Sequence, residues 1–360
     1  MKVIVFGQIG LRKKKFLTRV EAFVRSKGKL LRTYNVGSLM YSMDKTIRKG
    51  RILEKKIPEL KHIRARVFDN ITGQICTDTS CDASLVNSHA TFRWSNGLFL
   101  GFCKEEIQKL APDMCITLID NIQNTKLSLM LRQHKPEPFT LKDIIVWREE
   151  EQLAAEIASS LVDNCKNYVI AMGHGPELLY KLIFESHLPK AYLSYPITFA
   201  LGHPEIWKEI EKFREYIKNK LICFDPFTIS ESILITEYNA MKTRHGRKDR
   251  LVLKVEGQDV VFNSYEIEEV IPNIQGQIIA RDLQLVQQSD MVISYIPERD
   301  GQPMLSEGVS RELEHAKQCT IDRYVIWPST KNPSPFLQAT KLFKNIDEFI
   351  GFVDNRLLKS

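Results

Sequence analysis

The chain of 360 residues contains no apolar run long enough to cross a bilayer, which argues against a helical membrane protein. It has no internal repeat and no low-complexity segment, so solenoids and linker-like chains are set aside. Its seven cysteines stand at 76, 81, 103, 115, 165, 223 and 319. The number is odd, and Cys76 and Cys81 are the only close pair. No zinc-type pair of pairs exists, so no metal is expected, and reduced thiols are the expected state. No export segment opens the sequence. Met1 leads straight into an apolar strand, and the cytoplasm is the expected compartment. The basic runs at 12–15, 48–56 and 244–250 lack interleaved aromatic residues. The formal charge of +7 therefore points to solvated surface or small phosphorylated ligands rather than to nucleic acid.

With 43% hydrophobic and 26% charged residues, the composition is that of a globular protein. The length predicts two domains. Residues 2–6 (KVIVF) read as a buried strand, followed by Gly7-Gln8-Ile9-Gly10-Leu11-Arg12-Lys13-Lys14. A helix comes next, with Phe16, Leu17, Val20, Phe23 and Val24 at helical spacing. Strand, glycine-bearing turn and lysine-bearing helix is the layout of a phosphate-binding loop, with Gly7, Gly10 and Lys13 as its candidate residues. Two features of that loop are missing. Arg12 replaces the glycine that lets backbone approach phosphate, and Lys14 replaces the hydroxyl that ligates magnesium. A plain turn fits these residues at least as well.

The richest stretch is 277–328, which reads as helix, buried strand, loop, helix, strand. Residues 291–296 form a short apolar run, the mark of a parallel strand covered on both faces. The loop 297–306 leaves its carboxyl end, where open α/β sheets bind ligands. That order brings Asp282 and Glu312 together. Two such carboxylates suit cleavage of a glycosidic bond, one attacking or stabilising the anomeric carbon and the other protonating the leaving group. The alternative is an idle, solvated helix face at 311–315.

At these residues the sequence resembles a family. Asp282-Leu283, then Gln287-Gln288-Ser289-Asp290 before the strand, then Ser306-x-Gly308-Val309-x-x-Glu312-Leu313-x-x-Ala316, resembles the nucleoside 2-deoxyribosyltransferase superfamily. The nearer resemblance is to the 2'-deoxynucleoside 5'-phosphate N-hydrolases. It implies Glu312 as nucleophile, Asp282 as the acid that serves the leaving base, and Tyr192 positioning Glu312. It also implies substrate contacts from Ser306, which holds the 5'-phosphate, Gly308, and Ile197, which lines the base pocket. Thr198 stands where the family places a phosphate-binding arginine, and Tyr195 where it has a turn glycine. Ser329, Thr330 and Ser334 fall in a region that in the hydrolases reaches a neighbouring subunit.

The first half resembles archaeal-type adenylate kinases. Its matching segments are residues 34–41 (YNVGSLMY) and 85–91 (LVNSHAT). Asn87 takes the place of the family's metal-supporting aspartate, and Arg132 alone marks a lid at 127–138. The expected fold is therefore α/β with two doubly wound parallel-sheet domains. The first, 1–186, is P-loop kinase-like and degenerate. The second, 187–360, is deoxyribosyltransferase-like (flavodoxin-like) with an inserted hairpin at about 237–268 that turns near Glu256-Gly257.

The expected activity is hydrolysis, or base transfer, at the N-glycosidic bond of a (deoxy)nucleoside 5'-monophosphate. No cofactor is required, and ATP or another nucleotide is the ligand expected if the first domain binds one. The expected partners are the nucleotide substrate and further copies of the chain in a homodimer or larger homo-oligomer. Two alternatives remain open: a nucleotide kinase acting through Lys13, and a non-catalytic nucleotide sensor or gated effector that depletes NAD or nucleotides.

Overall fold

The computed structural model describes the chain except for residues 49–51, 95–96, 132–138, 230, 247, 335–336, 338 and 358–360. Arg132 of the expected lid lies outside the described residues. In chain order the first elements are β1 (Lys2–Phe6), α1 (Lys13–Ser26), β2 (Leu31–Asn35), α2 (Val36–Met43), α3 (Ile57–Thr77) and β3 (Ala83–Asn87). Then come β4 (Thr91–Trp94), β5 (Gly97–Leu100), α4 (Lys104–Leu110), β6 (Met114–Ile119), α5 (Ile122–Met130), α6 (Leu141–Ser160), β7 (Lys166–Ala171) and α7 (Pro176–Phe184). The middle of the chain forms β8 (Lys190–Ser194), α8 (Ile197–Leu201), α9 (Pro204–Lys220), β9 (Ile222–Phe224), α10 (Ser232–His245), β10 (Arg250–Val255), β11 (Gln258–Asn263) and α11 (Ser264–Gln287). The last elements are β12 (Met291–Tyr295), β13 (Glu298–Arg299), β14 (Gln302–Pro303), α12 (Glu307–Gln318), β15 (Asp322–Ile326), β16 (Lys341–Phe343) and α13 (Ile346–Phe352).

These elements form two compact units, 1–177 with 229–276 and 178–228 with 277–360. Of the three chain boundaries between them, one falls in α7, one between residues 228 and 229, and one in α11. The stretch expected as an insertion at 237–268 lies inside the 229–276 segment of the first unit.

The first unit is built on five parallel strands in the order β2-β3-β1-β6-β7. Every residue of β6 is buried, as a central parallel strand covered on both faces requires. Ile4, Phe6, Val86 and Cys115 pack on one face against Val67, Phe68 and Ile71 of α3 and Ala154, Ala155 and Ala158 of α6. The long helix α6 starts where Thr140 and Asp143 form a capping box, each side chain bonding the other's backbone amide. β10 and β11 form the expected antiparallel hairpin. Glu256 and Gly257 make its two-residue turn, both at positive φ (49° and 79°), as a hairpin turn of the primed type demands. Segment 229–276 is fastened to the unit by Arg148, which forms a buried bidentate pair with Glu231, and by Lys142, 2.7 Å from Glu269.

The second unit also has five parallel strands, in the order β16-β15-β12-β8-β9. Numbered within the unit, the order is 2-1-3-4-5, and it reverses between β8 and β12. Ala191, Leu193, Met291 and Ile293 face Ile206, Ile210, Phe213 and Ile217 of α9 on one side of the sheet. Two sequence expectations are corrected here. The strand that closes 277–328 is not the last of the sheet, because β16 adds a parallel edge beyond β15. The helix before β12 begins at Ser264 rather than Gln277, since buried Ile267, Val270 and Ile274 extend the same helical face backward.

Candidate active site

In the second unit the carboxyl ends of β8 and β12 lie at the point where strand order reverses, the usual crevice for ligands in such sheets. α12 is delivered there by Ser306, whose hydroxyl oxygen accepts the Val309 amide (3.2 Å) and so caps the helix. Val309, Leu313 and Ala316 form its buried stripe. Glu312 lies three residues after Val309 and four before Ala316, so helical spacing turns it onto the same inward face. There its carboxylate meets the end of β8. The Tyr192 hydroxyl donates to Oε1 at 2.8 Å, and the Ser194 hydroxyl donates to Oε2 at 2.5 Å. Tyr192 and Ser194 alternate with the residues that face α9, which puts both on the α12 side of the sheet.

Asp282 comes from α11, three and four residues before buried Leu285 and Val286, and so also faces inward. Its carboxylate accepts two bonds from Arg281, from Nε at 3.1 Å and from an Nη at 3.0 Å. Asp290 fixes this helix to the sheet: it accepts the amide of Lys190 at 2.8 Å, the first residue of β8.

The environment acts on both acids. Burial pushes the Glu312 carboxyl up to about 8, and the nearby charge of Asp282 adds to the rise. The two hydroxyl donors and Arg281 pull in the opposite direction. Asp282 is raised by burial and lowered by its neighbour Arg281. Tyr192 is held well above its ordinary value by burial and by both carboxylates, so it stays a hydrogen-bond donor. Both carboxyls are thus raised, and two acids whose proton affinities are set by their surroundings are the condition for one acid and one base.

The remaining expected residues take these places. Ser306 keeps its hydroxyl proton available for a ligand, because capping uses only a lone pair. Space is open beside Gly308, where an added Cβ would meet only the Ser306 hydroxyl at 3.9 Å. Ile197 is half-buried against the core beneath α8, and Thr198 is exposed. Ser194 and Arg281 were not singled out from sequence. Alternation with Tyr192 along KAYLS marks the face of Ser194, whereas nothing in the spacing marks Arg281. Tyr195, at the position of the missing turn glycine, is buried elsewhere and donates to Asp225 at 2.8 Å, beside Arg214.

The chain matches no protein-family model and no curated protein.

In the first unit, the loop after β1 is closed on its own residues. Gly7 has φ 144°, and a Cβ there would lie 2.8 Å from the Leu118 carbonyl, so glycine is required. The Lys13 ammonium is buried and donates to the carbonyls of Gly7 (2.6 Å) and Ser88. The carboxylate of Glu151 on α6, itself buried, accepts the amides of Gly7 (2.9 Å), Ala90 (2.7 Å) and Thr91 (2.9 Å), and the Thr91 hydroxyl at 2.5 Å. Gly10, at φ 106°, packs toward Thr125 and Leu129. Asn87 donates to the Asn35 side chain at 2.7 Å. Groups that would cradle a phosphate in a working loop are thus engaged with a carbonyl pair and a carboxylate of the chain itself. Among the described residues no cluster of three or more His, Cys, Asp or Glu is arranged to hold a metal, and no helix is long and apolar enough to cross a membrane.

Proposed function

We propose that the second unit cleaves the N-glycosidic bond of a (deoxy)nucleoside 5'-monophosphate, and that the first unit carries a degenerate P-loop kinase-like fold and the second a deoxyribosyltransferase-like fold. The observation that carries this reading is the Glu312 carboxylate, held between two hydroxyl donors at the sheet's reversal point with Asp282 beside it. A carboxylate oriented through both oxygens is a nucleophile with its geometry already set.

In the proposed reaction a Glu312 oxygen forms a bond to the anomeric carbon while the bond to the base nitrogen breaks. The electron pair leaves with the base, which takes a proton from Asp282. Positive charge develops on the sugar in the transition state, and it favours the ionised form of Glu312 while the departing base takes up the Asp282 proton. Water, deprotonated by Asp282, then releases the sugar phosphate. A second base entering in place of water would make the enzyme a transferase. The Ser306 hydroxyl and the unoccupied amides at the start of α12 suit a 5'-phosphate. Arg281 supplies a cation in the site, whereas Thr198 offers none.

The experiment is incubation with a panel of nucleoside 5'-monophosphates and chromatography for free base. Base release by the wild type that vanishes in Glu312→Ala supports the reading; equal release by the two proteins, or none by either, sinks it. The kinase alternative is weakened by the engagement of Lys13 and of the Gly7 amide. Phosphate transfer from ATP that is lost in Lys13→Ala would revive it. A homo-oligomer in the cytoplasm remains part of this proposal, and sedimentation analysis tests the assembly.

A further inference from the structure

A cavity of about 90 Å³ opens in the first unit on the other side of α1's start from the buried Lys13. Arg12, the residue just before α1, lines it together with Lys15 and Arg19, one turn apart on α1. This is an unfavourable place for cations. The first turn of α1 is Lys13-Lys14-Lys15 with no acidic residue, and a helix N-terminus already carries partial positive charge. Lys15 and Arg19 are like charges one turn apart, a destabilising pair, and neither has a carboxylate partner among the described residues.

Arg12 alone finds an anion. Its guanidinium meets the carboxylate of Glu256, 2.5 Å away, at the tip of the β10–β11 hairpin. Both residues sit at left-handed φ, 50° and 49°. The Glu256 side chain is 53% exposed, so solvent screens this pair and it is easily exchanged. Ser128, Asn124 and the carboxyl of Asp120 also line the cavity. The Ser128 hydroxyl is buried with no hydrogen-bond partner among the described residues. Asn124 and Asp120 stand beside it, Asp120 accepting from the Asn124 side chain at 2.9 Å and from the Asn121 amide at 2.7 Å. Burial raises the Asp120 carboxyl, and the Glu256 charge raises it further.

We propose that this cavity binds the phosphate group of a small phosphorylated molecule, and that Glu256 on the hairpin tip is an internal anion that the phosphate displaces. Arg12, Lys15 and Arg19 pair with the phosphate oxygens, and the Ser128 hydroxyl donates to one of them. The site is separate from Gly7 and Lys13, whose groups are already engaged. The proposal does not depend on the glycosidase reading of the second unit.

Equilibrium dialysis of the full chain with radiolabelled pyrophosphate, and separately with inorganic phosphate, tests it. Glu256→Gln removes the competing anion and should tighten pyrophosphate binding by about five-fold or more. Lys15→Ala with Arg19→Ala, both exposed on α1, should weaken it by about ten-fold or more, and by less at high salt. Retention of inorganic phosphate as well as pyrophosphate marks the site as reading a lone phosphate. Retention of pyrophosphate alone marks it as reading a phosphoanhydride; either supports the proposal. No measurable binding of either probe to Glu256→Gln, or binding indifferent to the Lys15/Arg19 double substitution, overturns it. Because the double variant leaves the hairpin and its ion pair untouched, its result stands even if Glu256→Gln loosens the hairpin.

Discussion

Both units place a carboxylate from a neighbouring helix against the end of a parallel sheet, and the two carboxylates are employed in opposite ways. Glu151 accepts four donors, three of them backbone amides, and is fully sealed. Its hydrogen-bonding capacity is satisfied, and it ties the loop after β1 to the β3–β4 connection. Among the described residues Glu312 accepts two donors, both side-chain hydroxyls, and burial leaves it with an elevated proton affinity. A saturated buried carboxylate stabilises structure, whereas an unsaturated one with a raised pKa stores reactivity. On the proposed reading the difference separates a structural acid from a chemical one, even though both are helix residues facing a sheet.

The largest effect that would break the comparison is catalytic. Glu312→Ala should lower base release by about a thousand-fold or more, as loss of a nucleophile does. Lys13→Ala, at equal concentration of folded protein, should leave base release within about two-fold, since the first unit contributes no group to that chemistry. Comparable losses in both variants, read by chromatography of free base, would place the reaction elsewhere.

Next in size is stability. Glu151→Ala strands three backbone amides and the Thr91 hydroxyl in a dry interior, and should cost about 3–5 kcal/mol in urea unfolding of the first unit. A cost below about 1 kcal/mol would mean that Glu151 does not hold the loop.

Glu312→Gln should have the opposite sign. The folded-state value of about 8 lies above the ordinary 4.5, so the folded protein keeps a proton that the unfolded chain releases. The carboxyl's contribution is fully present below pH 4.5 and is lost as pH rises toward 8. A neutral amide escapes that loss. The variant should therefore match the wild type near pH 4.5 and exceed it by about 2 kcal/mol above pH 8, with the two hydroxyl bonds to the wild-type carboxylate limiting the gain. Thermal melts at several pH values check it; a gain independent of pH would assign the effect to packing.

How much of this was legible in sequence depended on the range of the signal. Uninterrupted apolar strands such as KVIVF and MVISY follow from local periodicity alone. So does the turn at Glu256-Gly257. The pairing of Asp282 with Glu312 was legible because the order helix, strand, loop, helix places them at one sheet end. What sequence could not supply was occupancy. The GQIGLRKK turn is compatible with an open phosphate cradle, and only the three-dimensional placement of Glu151, 144 residues away from Gly7, closes it. Edge strand β16 carries just three residues, too few for periodicity to register. Ser194 was hidden for a different reason: a lone serine in an apolar strand usually means packing.

Ser194 therefore provides the finest test. Its hydroxyl lowers the proton affinity of Glu312, against the burial that raises it. Ser194→Ala removes that donor and leaves Oε2 with one fewer partner in a desolvated setting. The Glu312 carboxyl should rise further, so the acidic limb of kcat/KM should move to higher pH by about half a unit to one unit. At neutral pH the rate should fall by about three- to ten-fold, and it should recover in part as pH is raised. Ser194→Thr keeps the hydroxyl and should keep the limb in place. A residue that only filled space would lower activity equally at every pH, and Ser194→Thr would then be no better than Ser194→Ala. A limb that stays fixed in Ser194→Ala would show that Tyr192 alone sets the charge of Glu312, leaving the two hydroxyls unequal partners in holding it.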